Sequence, residues 1–278
     1  MIIGNINKLE VIRKTDIGYI LGTKEEEVFL HVNESKKKSL NEGEIVDAFL
    51  YYDHKGRVAA TLETPLIKLG MDAFLKVVEV KRDLGVFVDM GISKDLLVSK
   101  DDLSPDFLRW PQVGDVLYLR LVHKNRLTGK PLHRNNIPVR YNLKENDFVD
   151  GYIIRLGENG LDVLTENLEY IFIHKTQTRD FHRLGEKVNV KIIRAYEHTL
   201  NGSLIKQKEN QIDSDAKRIY EYLKVYKEMS LGNDSSPEEI FKTFHLSKKA
   251  FKRALGKLYK ERLIHFEGEY TKLGEKNE

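Results

Sequence analysis

Gly43, Gly114 and Gly185 recur at a constant interval of 71 residues, and each is followed by an acid, Glu44, Asp115 or Glu186. A period of this length points to one small unit repeated along the chain, and it does not favour the alternative of a single extended sandwich. Each Gly-acid pair leads into a strand-like run: Ile45 to Tyr51, Val116 to Val122 and Val188 to Ala195. Upstream, each copy has a glycine-led strand and then a short apolar one. Gly18-Tyr19-Ile20-Leu21 leads to Val28-Phe29-Leu30-His31, and Gly85-Val86-Phe87-Val88 leads to Asp95-Leu96-Leu97-Val98. In the third copy Gly160-Leu161-Asp162-Val163 leads to Ile171-Phe172-Ile173-His174. Opening strands are expected over Ile6 to Ile12, Phe74 to Val80 and Val149 to Leu156, and closing strands over Val58 to Leu62 and Leu200 to Leu204. Five short strands in about seventy residues, broken by Gly, Asn and Asp, fit a small closed barrel of the OB type.

The pattern changes after Gln207-Lys208-Glu209-Asn210-Gln211. Ala216, Ile219, Tyr220 and Leu223 follow helical spacing, with Asp213 as the expected N-cap. Ser236-Pro237-Glu238-Glu239 starts a second helix that should end near Phe244. Ser247 caps a third, from Lys248 to about Lys260, whose Lys249, Lys252, Arg253, Gly256 and Lys260 gather opposite an apolar stripe. Leu263 to Phe266 and Tyr270 to Leu273, joined by Glu267-Gly268-Glu269, read as a hairpin. Three helices and a hairpin is the winged-helix order, in which the third helix docks nucleic acid. The expected architecture is therefore multidomain and mainly β. Three tandem five-stranded OB-fold barrels over 1–66, 67–143 and 144–211 precede an α/β winged-helix domain over 212–278.

The barrel copies resemble the RNA-binding domain named after ribosomal protein S1. Val28-Phe29-Leu30-His31 and Ile171-Phe172-Ile173-His174 match its third strand, and Leu84-Gly85-Val86-Phe87-Val88 matches its second. The copies differ: Tyr19 stands one position earlier than Phe87, Ser99 replaces the histidine in the second, and Gly160 to Leu164 holds no aromatic. With Lys81 to Asp89, Arg109-Trp110-Pro111, Ser235 to Glu238 and Ser247 to Gly256, the whole chain resembles the conserved virulence factor B family of low-GC Gram-positive bacteria. That resemblance implies RNA binding and post-transcriptional regulation, including regulation of virulence, with single-stranded RNA as partner and RNA-processing proteins as a second class.

Barrels of this kind stack bases on aromatic rings while Lys and Arg follow the phosphates. Phe87 is the first stacking candidate, then Phe29 and Phe172, although strand alternation leaves open whether those rings face inward as core. His31 and His174 share strand faces with Phe29 and Phe172 and are candidate base or phosphate ligands, or else structural. No acid occurs over the 29 residues from Val116 to Lys144, which carry Arg120, Lys124, Arg126, Lys130, Arg134 and Arg140. That run fits a phosphate-tracking path, or a solvated linker. Lys249, Lys252, Arg253 and Lys260 form the second basic candidate. Trp110, the one tryptophan, is expected to be a packing anchor rather than a base platform.

The formal charge of +3 is unevenly spread, being −2, +4, −1 and +2 over the four expected domains. The absence of cysteine removes disulfides, thiolate metal sites and cysteine nucleophiles. No metal or cofactor is expected, and neither is membrane insertion, since no apolar stretch reaches the length of a signal peptide or a spanning helix. The cytoplasm is the expected compartment. There is no phosphate loop, nucleophile elbow or His-Glu-x-x-His helix, so the chain does not read as an enzyme. A DNA-binding regulator and a protein-docking scaffold remain as alternatives.

Overall fold

The glycine that leads each second strand is explained by how closely the strands approach one another. In a computed structural model, which describes residues 1–36, 39–178, 180–205, 208–268 and 270–274, each barrel contributes five strands. The first has β1 (Ile6–Thr15), β2 (Gly18–Gly22), β3 (Glu27–His31), β4 (Ile45–Tyr52) and β5 (Val58–Thr61). The second has β6 (Asp72–Lys81), β7 (Gly85–Val88), β8 (Leu96–Ser99), β9 (Val116–His123) and β10 (Leu127–Pro131). The third has β11 (Phe148–Gly157), β12 (Gly160–Leu164), β13 (Tyr170–His174), β14 (Lys187–Tyr196) and β15 (Thr199–Ser203). A Cβ on Gly18, Gly85 or Gly160 would stand 2.1, 2.0 or 2.1 Å from the carbonyl oxygen of Leu30, Val98 or Ile173 on the next strand. No side chain fits there.

The Gly-acid pair builds the turn into each fourth strand. Gly43, Gly114 and Gly185 adopt φ of 81°, 97° and 78°, a region that favours glycine. The acid that follows closes the turn by accepting a backbone N–H three residues back. Asn41 donates to Glu44, Gln112 to Asp115 and Arg183 to Glu186, at 3.1, 2.7 and 3.1 Å.

The first and third barrels close in the order β1-β2-β3-β5-β4 and β11-β12-β13-β15-β14. A parallel pairing completes each ring, with Phe29 opposite Ala59 and Phe172 opposite Asn201. The long opening strands bend at register shifts between Val11 and Arg13, Val77 and Glu79, and Ile153 and Arg155. These bulges let one strand serve two neighbours. The second barrel has the order β10-β9-β6-β7-β8 and lacks the closing ladder. Its β10, which the sequence did not reveal, lies beside β8: a Cβ on Gly129 would come within 3.2 Å of Val98 and 3.3 Å of Leu96.

Residues 1–204 form one compact unit and 205–278 another. Within the first unit a single apolar cluster runs from Phe49 and Tyr51 of β4 through Ile67 into Leu75, Val86, Leu96, Leu119 and Trp110, so the first two barrels share a core. Trp110 is the anchor expected of it. It is 7% exposed, its indole N–H donates to the Ser104 carbonyl at 2.6 Å, and Leu184 of the third barrel packs on the same cluster. Arg183 clamps Asp115 across the second seam at 2.7 and 2.9 Å.

The second unit has α1 (Lys208–Tyr226), β16 (Glu228–Met229), α2 (Pro237–Phe244), α3 (Lys248–Lys260), β17 (Ile264–Glu267) and β18 (Tyr270–Leu273). Helix α1 begins five residues before Asp213, which lies inside the helix rather than capping it; Lys208, Glu209 and Gln211 are good helix formers. Ser236 and Glu239 form a reciprocal capping box at α2, and Ser247 caps α3 by accepting the Ala250 N–H at 3.3 Å. Ile219, Leu223, Ile240, Phe244, Phe251, Leu255 and Ile264 fill the core. The expected hairpin is β17–β18, joined by the unforeseen β16 into a sheet of order β16-β18-β17. Glu269 of its turn lies outside the described residues.

Candidate nucleic-acid interface

Strand alternation decides where the aromatic candidates point. Phe29 lies between buried Val28 and Leu30, Phe87 between Val86 and Val88, and Phe172 between Ile171 and Ile173. Because those neighbours fill the barrel interiors, all three rings face outward and are half-buried. Tyr19 takes the opposite course. It is a core residue at 4% exposure whose hydroxyl accepts the Leu40 N–H at 3.3 Å.

The outward residues form one row across each sheet. In the first barrel it runs Arg13, Ile20, Phe29, Ala59, Tyr51. In the third it runs Arg155, Asp162, Phe172, Asn201, Arg194. The second barrel has Glu79, Phe87 and Leu97. Phe87 is therefore the counterpart of Ile20 and Asp162, and the ring sits one strand over from Phe29 and Phe172.

Both histidines do structural work. His31 Nδ1 accepts the Asn33 N–H at 3.1 Å, and His174 Nδ1 accepts the Thr176 N–H at 3.3 Å, each capping a short 3-10 turn. Ser99 does the same for Asp101 at 3.3 Å. Any ring acceptor or hydroxyl at this position meets the need of the turn. Each histidine also meets its strand neighbour edge-on, with centroids 6.1 Å apart for Phe29–His31 and 6.4 Å for Phe172–His174.

Phe87 and Arg126 come together in a cleft of about 400 Å³ between the first two barrels, with Tyr52, Leu97 and Lys94. The Lys81 ammonium stands 5.1 Å from the Phe87 ring. Phe172 lines a second, shallow cleft of about 490 Å³ with Arg134, Arg155, Asp162 and Tyr170. Asp162 is 2% exposed and bonded to the Arg155 guanidinium. Burial and then the hydrogen bond to Asp162 push the Tyr170 phenol well above its ordinary value, and the Arg134 guanidinium lies 5.2 Å from its ring.

The basic run is free of acid only along the chain. Arg120 makes two bonds to Asp72, at 2.6 and 2.8 Å, and Lys130 meets Asp102 at 2.5 Å. Two of its cations are thus paired with acids from elsewhere in the chain. Lys124 and Arg126 are exposed at the β9–β10 turn. On α3, Lys249, Lys252, Arg253 and Lys260 are exposed on one face, and among the described residues none of them has an ion-pair partner. Sequence reasoning missed the Arg155–Asp162–Tyr170 group and a stacked pair of rings, Tyr259 and Phe266, beside the basic face of α3.

Among the described residues no three His, Asp or Glu side chains gather closely enough to hold a metal ion, and no helix is long and apolar enough to cross a membrane.

Family models match three stretches of the chain. The S1 domain covers residues 3–63, the CvfB first S1-like domain covers 73–130, and the CvfB-like winged helix domain covers 217–273. The chain is 33% identical over 277 residues to Conserved virulence factor B of Staphylococcus epidermidis, covering 96% of this chain and 93% of that one. It is 33% identical over 271 residues to the uncharacterized protein YitL of Bacillus subtilis, covering 95% and 91%. A solved structure described as a multidomain protein with nucleic acid binding domains, from Streptococcus pneumoniae, is 30% identical with a TM-score of 0.64, covering 98% of both chains.

Proposed function

The chain belongs to the conserved virulence factor B family, and from that membership we propose that it binds single-stranded RNA and acts as a post-transcriptional regulator. It works by binding alone, in the cytoplasm, without a cofactor. The observation that carries this reading is the outward placement of Phe29, Phe87 and Phe172 on three successive barrels, with Lys81, Lys94 and Arg126 around Phe87. Every unpaired base has a π-face that such a ring can cover, whereas a duplex keeps its bases stacked inside. The exposed cations of α3 add attraction to phosphate that carries no sequence information. His31 and His174 keep their Nε2 edges for a base or phosphate.

Fluorescence anisotropy of the full chain with labelled single-stranded RNA, duplex RNA and duplex DNA tests this across a salt series. Single strands are expected to bind best, with affinity falling as salt rises. Phe87→Ala should weaken binding about tenfold. Replacing Lys249, Lys252 and Arg253 together by Ala should flatten the log–log salt slope by about 2. Tighter binding to duplex DNA would turn the reading toward a DNA regulator, and no binding to any nucleic acid would turn it toward protein docking.

A further inference from the structure

One residue on the exposed face of α3 is a glycine for which the fold supplies no reason. Gly256 is the ninth of thirteen residues in the helix. Glycine there is disfavoured against alanine, because its backbone loses more freedom on folding and it has no side chain to shield the helix. Crowding justifies glycine at Gly85, where the next strand presses on the Cα. At Gly256 a Cβ would meet no atom within 4 Å outside the helix itself. Its φ does not fall in the left-handed region either. Neither packing nor backbone conformation asks for glycine.

The surroundings of Gly256 are less neutral. Helical spacing places Lys252 and Arg253 one turn before it and Tyr259 and Lys260 one turn after it, on the same face. All four are exposed, and among the described residues the three cations have no ion-pair partner. Tyr259 is 56% exposed and stacks on Phe266 of β17, itself 37% exposed, with centroids 5.3 Å apart and planes at 30°. A bare stretch of helix backbone is therefore bounded by three cations and by a flat aromatic pair.

Cations and rings together ask for a ligand with an anionic backbone and an uncovered aromatic face. Cations alone would suit a duplex or an acidic protein. Two stacked, exposed rings beside them suit a strand whose bases are free to stack.

We infer that the winged-helix unit grips one nucleotide of a single RNA strand at this patch. The sugar-phosphate passes directly over Gly256, the phosphate lies among Lys252, Arg253 and Lys260, and the base stacks on the Tyr259–Phe266 pair. This rests on the proposed function and adds the site, the contact order and the reason for the glycine. A Cβ at position 256 would lift the strand off the helix and carry phosphate and base out of reach of their partners.

The proposal makes stability and affinity move in opposite directions, which separates it from a merely tolerated glycine. In the full chain, Gly256→Ala should raise the melting temperature of the C-terminal unit by about 4–8 °C. The same variant should bind labelled single-stranded RNA several-fold more weakly by anisotropy. Tyr259→Ala should weaken binding about tenfold, and Tyr259→Phe should retain it. A Gly256→Ala chain that gains stability and binds single-stranded RNA as tightly as wild type overturns this inference alone, as does undiminished binding by Tyr259→Ala. Wild type that ignores single-stranded RNA overturns the proposed function as well, so the two failures are distinguishable.

Discussion

Two residues after the strand-two glycine, the second barrel carries Phe87 and the third carries Asp162. The parts around these two positions are the same. A Cβ on Gly85 or Gly160 would stand 2.0 or 2.1 Å from a carbonyl oxygen, the flanking residues are buried, and the opening strand bulges beside them. The outer faces nevertheless differ in kind. Phe87 is an open ring with a lysine 5.1 Å away, whereas Asp162 is buried and locked to Arg155 and Tyr170. The third barrel regains a ring one strand over, at Phe172, but that ring sits opposite a carboxylate. The comparison separates two sets of positions. Those that make the barrel are held fixed by sterics, and those on its face are free to change chemistry.

The largest effects should come from the shared set and should be alike in both barrels. Gly85→Ala and Gly160→Ala each place a methyl group against backbone that has no room to yield. Each should cost about 3 kcal/mol of stability by urea unfolding. A loss below about 1 kcal/mol in one barrel and not the other would break the equivalence on which the comparison stands.

Next in size comes the position where the barrels differ. Asp162→Ala leaves the Arg155 guanidinium without its carboxylate and the Tyr170 hydroxyl without an acceptor. It should cost about 2 kcal/mol, less than a fully buried pair because Arg155 is half exposed. The pH dependence has a definite sign. The Tyr170 phenol is raised above its ordinary 10.0, first by burial and then by its bond to Asp162. Its neutral form is therefore favoured by folding. That contribution is complete below pH 10.0 and is lost as pH rises beyond it toward the folded value. Asp162→Ala should make the loss at high pH shallower. An unchanged high-pH limb would show that Asp162 does not hold the phenol.

How much of this was legible in the sequence follows the same division. The repeat glycines, the Gly-acid turns and the caps of α2 and α3 were readable because each is a local steric or hydrogen-bonding demand with a fixed spacing, whereas Asp213 lies inside α1. The closing strand β10 was not, since Gly129 and Pro131 interrupt its pattern, and both are tolerated where one edge has no ladder. Arg120 and Lys130 looked free because their partners, Asp72 and Asp102, lie 48 and 28 residues away. Asp162 stood out only as the place where the third copy lacks an aromatic, because nothing nearby in sequence shows that Arg155 and Tyr170 cover it. The outward turn of Phe29 and Phe172 stayed open until their buried neighbours fixed it. Tyr259 and Phe266 are seven residues apart on different elements, and only the fold of the second unit brings their rings together.

The smallest effect concerns the turn after the third strand, where the second barrel has Ser99 and the third has His174. Both accept a backbone N–H two residues on, at the same 3.3 Å. His174→Ser should therefore cost no more than about 0.5 kcal/mol, and His174→Ala about 1 kcal/mol through the lost cap. The exchange also divides the two roles assigned to the histidine. A serine keeps the cap but has no Nε2 edge to offer a base or phosphate. If His174→Ser leaves both stability and single-stranded RNA affinity unchanged, the histidine is a cap and nothing more. If stability holds while affinity falls, the outer face of the third barrel takes part in binding in spite of Asp162, and the contrast with the second barrel is one of degree.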